Sequence, residues 1–233
     1  MSSHSEDWGS FGAFVSGIAG TAIALATLVA LAVTFALQAR ELENSRHAVE
    51  RQIFDNTFFQ LLQRFNGIVS SLAIEVPMLV VHRHITGRRL VERIYKEMRD
   101  KYPISPPGEQ LEAIVDMHRA VYPKYEPELG PYFRTLYHVF KFIENATLTE
   151  PEKIAYADIA RAQLSRFELA LLFYNGLTPY GEKFKPLIEK YGILKHVNPA
   201  DLANLQHLTN RTLYVQTAFM SEKQRAETGR HRG

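Results

Sequence analysis

The sequence predicts an all-α protein, in which an N-terminal transmembrane helix is followed by a cytoplasmic helical bundle domain. Residues 8–39 contain no charged side chain, and several later segments carry apolar residues at helical spacing. No segment shows the sustained alternation of apolar and polar residues that is typical of strands, and no internal repeat is found. These observations together favour helices throughout.

Composition excludes several classes of protein. The chain has 233 residues, of which 22% are charged and 11% aromatic, and this balance excludes a disordered chain. It has no cysteine, which excludes a disulfide scaffold, a thiol nucleophile and a thiolate metal site. A net charge of +2 does not favour nucleic acid as a partner. The mean hydropathy of −0.17 averages an apolar start and a hydrophilic remainder.

Residues 11–37 are the predicted transmembrane helix, preceded by a short tail at 1–10. The segment exceeds the about 20 apolar residues that a helix needs to cross a bilayer. A signal peptide is the first alternative, but it requires a basic start, and the start here carries Glu6 and Asp7 without Lys or Arg. A buried helix is the second, but it would rarely be apolar on all sides for so long.

Basic residues near the span predict its orientation. No Lys or Arg precedes it, whereas Arg40, Arg46 and Arg51 follow closely. Because cytoplasmic flanks are enriched in Lys and Arg, a single-pass protein is expected, with its N-terminus outside and its C-terminal domain in the cytoplasm.

Small residues recur every four positions in the predicted span, at Gly12, Ser16, Gly20 and Ala24. Such spacing can form a flat helix face that packs against a second copy in the bilayer. The alternative is that small residues are simply common in membrane helices. The expected partners are therefore the lipid bilayer and further copies of this chain.

The helix is expected to continue beyond the membrane. Residues 38–53 are rich in charge and predict a juxtamembrane helical stalk. An apolar stripe follows at steps of three and four, which keeps its members on one helix face. The stripe consists of Phe54, Phe58, Leu61, Phe65, Ile68 and Leu72, and Ile53, Leu62 and Val69 widen it. It is short for a coiled coil, so we expect it to face a core.

The cytoplasmic domain is predicted over residues 54–220, with a basic polar tail at 221–233. Helices are expected at 88–101, 109–122, 131–145, 150–175 and 181–191, with a last one from Asn198 to about Leu208. Pro123, Pro127 and Pro131 are expected to separate the second helix from the third. Thr149 and Glu152 form a capping-box pattern at the start of the fourth. The apolar run 169–173 predicts that the second half of this helix is central and buried.

Motifs for familiar chemistry are absent from the sequence. Phosphate-binding loops, His-Glu-x-x-His zinc patterns and Gly-x-Ser-x-Gly elbows do not occur. His82 and His84 lie in a basic segment with Arg83, Arg88 and Arg89, where a solvated turn is favoured over a metal site. The sequence thus predicts no catalytic, cofactor-binding or metal-binding residue, and favours a protein that is not an enzyme.

One carboxylate is expected to be buried. Glu168 directly precedes the apolar run, and a buried charge needs a partner. Arg161 would point the same way but lies about 10 Å along the helix. The expected partners are therefore Arg134, His138 or Lys141 of the preceding helix. A structural ion pair is favoured over an active site here, and a capping role over a ligand role for Asn175.

Five blocks carry a family resemblance. They are Asn56–Leu62 with Asn66, Gly130–Arg134 with Tyr137 and His138, Arg161–Ser165 with Glu168, Leu172–Gly176, and Phe184–Tyr191. In this order, after an N-terminal span, they resemble the putative phage abortive infection proteins, an AbiC-like family of bacterial membrane proteins. The resemblance implies anti-phage defence that ends in growth arrest or death of the infected cell.

The resemblance supplies no catalytic residues. The polar positions that match are therefore candidates for functional or structural importance: Asn56, Asn66, Arg134, His138, Arg161, Gln163, Glu168 and Asn175. The sequence and the resemblance together predict an effector in the bacterial inner membrane, which acts by oligomerisation and membrane perturbation.

Two alternatives remain open. The first is a membrane-tethered helical ribonuclease, although Arg134 and His138 stand closer together than the Arg and His of helical nucleases of the HEPN type. The second is a non-catalytic adaptor that recruits another defence protein to the membrane.

Overall fold

A computed structural model describes residues 3–76, 83–101, 109–202, 213–220 and residue 224. The described chain is almost entirely helical, which confirms the predicted all-α class. It divides into two compact units, Met1–Asp55 and Asn56–Gly233.

The first helix, α1, runs without a break over Ser3–Ser71. Within the first unit, residues 8–53 are exposed throughout. The hydroxyls of Thr21, Thr27 and Thr34 each donate a hydrogen bond to the carbonyl four residues earlier, at 2.7–2.8 Å. These polar side chains are therefore satisfied within the helix itself, as a nonpolar environment requires. By length and composition, this helix is one that could cross a membrane.

In the second unit, the end of α1 contributes one face to the core. Its buried side chains are Phe58, Leu62, Phe65 and Val69, and Leu72, directly after the helix, is buried as well. This line is rotated slightly from the predicted stripe, since Phe54, Leu61 and Ile68 are only partly buried. Ile53, at the end of the first unit, is exposed.

A short antiparallel hairpin follows α1. Strand β1 covers Ala73–Val76 and strand β2 covers Arg83–Thr86, with Ile74 opposite Ile85 and Glu75 opposite His84. The turn expected around His82 and His84 was therefore wrong for His84, which lies in β2. Four-residue strands are too short for an alternating pattern to stand out in the sequence. His82 lies outside the described residues.

Gly87 joins the hairpin to the second helix, α2, which covers Arg88–Asp100. Its N–H donates to the Leu72 carbonyl at 2.8 Å. Its φ of +59° lies in the left-handed region, where a side chain would be strained.

The third helix, α3, is continuous over Gln110–Glu144 and contains Pro123, Pro127 and Pro131. The two separate helices predicted at 109–122 and 131–145 were therefore wrong. A helical proline removes one hydrogen bond and crowds the carbonyl four residues earlier. Here the prolines lie four apart, on one face, and Pro123 and Pro127 are exposed. The freed carbonyls can therefore turn to water, while Leu129, Tyr132 and Phe133 remain packed on the other face.

The segment predicted as one helix over 150–175 is two helices. Helix α4 covers Glu150–Arg161 and α5 covers Arg166–Asn175. Both begin with a capping box, Thr149 with Glu152 and Ser165 with Glu168. The first was predicted, whereas the second starts a new helix in what the apolar pattern presented as continuous.

Helix α5 is the central helix, as its apolar run predicted: all residues from Glu168 to Asn175 are buried. Helix α6 covers Lys185–Tyr191, and turns occupy the first positions of the predicted 181–191 helix. Short 3-10 helices at Ile193–His196, Pro199–Asp201 and Gln216–Phe219 complete the described chain. The remainder of the predicted helix from Asn198, residues 203–208, lies outside the described residues, as does the tail from Ser221 except for Gln224.

Candidate functional site

Glu168 is the centre of a polar network inside the second unit. Its side chain is fully buried and accepts three hydrogen bonds. Arg88 Nε donates to Oε2 at 3.1 Å, the Ser165 N–H donates to the same oxygen at 2.7 Å, and the Tyr132 hydroxyl donates to Oε1 at 3.3 Å. Both carboxylate oxygens are therefore occupied by donors from the protein.

The network extends from Glu168 to α1. A second nitrogen of Arg88, Nη2, donates to the Gln163 carbonyl at 2.8 Å. The Gln163 side chain accepts from Asn66 Nδ2 at 3.2 Å. The network, defined as Asn66, Arg88, Tyr132, Gln163, Ser165 and Glu168, thus connects α1, α2 and α3 to the break between α4 and α5. Three predicted candidates, Asn66, Gln163 and Glu168, come together in it.

The expected partners of Glu168 were wrong. Arg88, at the first position of α2, replaces Arg134, His138 and Lys141. Arg134, His138 and Lys141 lie on α3, and they could reach Glu168 only if their face of α3 packed against the Glu168 face of α5. The prediction depended on this packing, which the sequence does not specify. Burial and the Glu168 carboxylate raise the pKa of Tyr132 well above its ordinary value, so this phenol stays protonated as a donor.

Two further candidates lie apart from the network. Arg161 is buried at the end of α4, and its Nη1 pairs with Asp158 at 2.8 Å. Arg161 and Glu168 were predicted to lie on the same face of one helix. The break at residues 162–165 puts them in two different helices, so this prediction was wrong. Asn56 is exposed on α1.

The other three candidates, Arg134, His138 and Asn175, line one cavity of about 360 Å³. We call it the Arg134 pocket. Helix α3 supplies one wall, the end of α5 another, and the turns before α6 the third. The remaining lining residues are Tyr122, Gly130, Phe133, Tyr137, Tyr180, Lys183 and Phe184. Asn175 is the last residue of α5, so it is not the capping residue that the sequence suggested. The C-cap is Gly176, where the helix was predicted to end.

Two glycines shape this pocket. A Cβ added to Gly130 would lie 3.3 Å from Nη1 of Arg134, so the missing side chain leaves room for the guanidinium. A Cβ on Gly181 would lie 2.2 Å from the carbonyl oxygen of Asn175 and 2.7 Å from its Oδ1. The turn containing Gly181 therefore approaches Asn175 as closely as it does only because a glycine is present.

Stacked rings adjoin the pocket. His118 is buried and stacks on Tyr122 with ring centroids 4.4 Å apart, and Tyr122 lies 4.7 Å from Tyr180. Burial lowers the pKa of His118 to about 4, so the imidazole is neutral near pH 7. Burial, with a smaller effect of Glu126, raises the pKa of Tyr122.

The sequence interpretation missed other buried polar residues. Asp201 is buried and pairs with both Nε and Nη2 of Arg166, while its carbonyl accepts from the Tyr95 hydroxyl at 2.7 Å. No spacing rule connects these three positions. Among the described residues, no group of three His, Asp or Glu side chains is placed to hold a metal ion.

A family comparison bears on the region that contains the pocket. The model of the family described as putative phage abortive infection protein matches residues 124–202. This match supports the family resemblance predicted from the sequence. No curated protein and no solved structure matches the chain.

The matched segment is about a third of the chain. It contains Glu168, Gln163 and most of the Arg134 pocket, but not the predicted span, Asn66 or Arg88. The family indicates a role in phage abortive infection.

Proposed function

We propose that this protein is an anti-phage effector of the bacterial inner membrane, anchored through residues 11–37, which oligomerises and perturbs the membrane when a phage infects the cell. The observation that supports it most is the apolar N-terminal part of α1. Residues 8–53 are exposed throughout, and the hydroxyls of Thr21, Thr27 and Thr34 are satisfied within the helix. Exposing so much apolar surface to water is strongly unfavourable, whereas a bilayer accepts it.

Orientation follows from the flanking charges. The arginines that follow the span support an orientation in which the second unit faces the cytoplasm. A mechanism of this kind links a cytoplasmic domain to the lipid phase through one continuous helix.

Oligomerisation is required because a single helix cannot enclose a pore. The face formed by Gly12, Ser16, Gly20 and Ala24 offers a close contact between copies. A Cβ on Gly12 or Gly20 would meet nothing within 4 Å in a single chain, so a larger residue there would act only on neighbouring copies.

The test uses Gly20→Leu, with Ala22→Leu as its matched control. On a helix, Ala22 points about 140° away from the middle of the small-residue face. Both variants and the unchanged chain are produced in phage-sensitive bacteria, and dye influx, membrane potential and phage yield are measured after infection. We expect depolarisation and protection with the unchanged chain and with Ala22→Leu, and loss of both with Gly20→Leu.

Unchanged potential and dye exclusion in cells that nevertheless stop growing would contradict the membrane mechanism. The ribonuclease alternative would instead give degraded cellular RNA and loss of protection on His138→Ala. The adaptor alternative requires that the chain produced alone causes no growth arrest.

A further inference from the structure

We propose that the Arg134 pocket binds a mononucleotide, with the phosphate held by Arg134, His138 and Lys183, and the base placed against the tyrosine rings beside them. Ligand binding to the second unit would be the signal that controls the effector, so this regulatory part rests on the proposed function. The binding itself does not.

Charge is the first argument. The described residues that line the pocket include Arg134, Lys183 and His138 but no Asp or Glu. None of these three forms an ion pair with the described part of the chain. Two lysines elsewhere in the second unit show the contrast with a paired cation: Lys190 contacts Glu144 at 2.7 Å, and Lys124 contacts Glu97 at 3.0 Å. A cavity that gathers two unpaired cations, Arg134 and Lys183, with the His138 imidazole as a further polar group and no carboxylate, favours an anion.

Asn175 is the second argument. Asn175 lines the pocket, and the residue as a whole is only 2% exposed. The residue is held in place by its buried position at the end of α5, and its amide is one of the polar groups in the lining. An amide presents both a donor and an acceptor, as does the edge of a nucleobase. A ligand with such an edge could pair with both groups of the Asn175 amide.

Aromatic rings are the third argument. Tyr180 is 66% exposed, although its ring is held against Tyr122 at 4.7 Å. Tyr137, on the other side, is partly buried and packs edge-on against Phe184 at 5.7 Å. Positioned rings with an open face are suitable for stacking a base.

Size distinguishes a small ligand from a nucleic acid. A volume of about 360 Å³ is at the lower end of the range for small-molecule pockets. The cations converge on one cavity instead of forming a track along the surface, which is what a polynucleotide backbone would need. A single nucleotide therefore fits the geometry better than a strand.

The experiment measures binding by isothermal titration calorimetry to the full chain in detergent. The probes are AMP, GMP, CMP and UMP, each alone, together with the four nucleosides, inorganic phosphate and a single-stranded RNA decamer. We expect at least one mononucleotide to bind with at least tenfold higher affinity than its nucleoside and than phosphate. The Arg134→Gln and Lys183→Gln variants should each weaken this binding at least tenfold.

The control is Arg119→Gln, which makes the same charge change on the same helix. Arg119 is exposed, pairs with Asp116 and does not line the pocket, so mononucleotide affinity should be unchanged. Gly130→Ala should weaken binding by displacing the guanidinium. Circular dichroism of each variant shows whether it has folded.

Several outcomes would overturn the proposal. If no mononucleotide binds at 1 mM, the pocket has another role. If phosphate binds as tightly as the nucleotides, it is a simple anion site, and if the RNA decamer binds more tightly than any mononucleotide, it is part of a nucleic-acid surface. Since these measurements involve no bilayer, they stay separate from any failure of the membrane mechanism.

Discussion

Arg88 Nε donates to the buried carboxylate of Glu168 at 3.1 Å, and this contact joins the start of α2 to the start of α5. The two residues are unlike in exposure: the Glu168 side chain is fully buried, whereas that of Arg88 is 51% exposed. The pair therefore brings a buried negative charge into contact with a cation that is itself partly hydrated. Glu168 also completes the capping box of Ser165, so one carboxylate both starts a helix and anchors its neighbour.

Replacing Arg88 by Leu should destabilise the second unit. Glu168 would lose its only cationic partner in the described part of the chain, although Ser165 and Tyr132 would still donate to it. A hydrogen bond to a charged group contributes about 1.5–3 kcal/mol, so we expect a loss at the lower end of this range because Arg88 is half exposed. The measurement is urea unfolding of the full chain in detergent, followed by near-ultraviolet circular dichroism of the buried tyrosines. Arg89→Leu is the matched control, since Arg89 is exposed and adjacent, and should change stability by less than about 0.5 kcal/mol. Equal effects of the two substitutions would contradict the role of the pair.

The sequence predicted the helical class because long apolar periodicity is a local property. The central position of α5 was predictable for the same reason, since residues 169–173 are apolar on all sides. The break before α5 was also visible in principle: Ser165 and Glu168 have the capping-box spacing. It was missed because the apolar face of 160–174 continues across it.

The partners within the site were not predictable in this way. Arg88 and Glu168 are 80 positions apart, and only the packing of α2 against α5 brings them together. For α3, the local sequence signal itself was misleading. Three prolines strongly predict an interrupted helix, yet α3 is continuous. Packing of the opposite face outweighs that signal when all three prolines lie on one side.

Pro127→Ala should stabilise the protein. Pro127 is exposed inside α3, and alanine restores an N–H that can bond to the Pro123 carbonyl. A proline inside a helix costs about 3 kcal/mol relative to alanine. Part of this gain is lost because alanine raises the conformational entropy of the unfolded chain, so we expect the free energy of unfolding in urea to rise by about 1–2 kcal/mol. Pro186→Ala is the control: Pro186 lies in the first turn of α6, where no hydrogen bond is missing, and its loss should destabilise by about 0.5–1 kcal/mol. Stabilisation by both substitutions would show that the α3 geometry is not the cause.

Gly181→Ala should destabilise the protein and distort the Arg134 pocket. The new Cβ would lie 2.2 Å from the carbonyl oxygen and 2.5 Å from the carbonyl carbon of Asn175, which are backbone atoms that cannot rotate away. We expect a loss of about 1–3 kcal/mol in urea unfolding, typical of overpacking. Gly67→Ala, in the open part of α1, should instead stabilise by about 0.5–1 kcal/mol, because its Cβ would meet nothing within 4 Å. An unchanged free energy of unfolding for Gly181→Ala would contradict this prediction, because it would mean that the turn has room for a Cβ beside Asn175.

His118 should make the stability of the protein depend on pH between about 4 and 6.5. Burial lowers its pKa to about 4, so in this range the unfolded chain binds a proton that the folded chain does not. The free energy of unfolding therefore falls as the pH falls, by up to about 3 kcal/mol at pH 4. His118→Phe keeps a ring against Tyr122, whose centroid lies 4.4 Å away, but removes the titration. We expect urea unfolding to show the variant gaining about 3 kcal/mol relative to the unchanged chain from pH 7 to pH 4. Acidic groups such as Glu97 and Glu144 contribute equally to both chains, so their titration cancels in this comparison. Parallel pH profiles of the two chains would contradict the prediction, because they would mean that His118 is protonated as readily in the folded chain as in the unfolded chain.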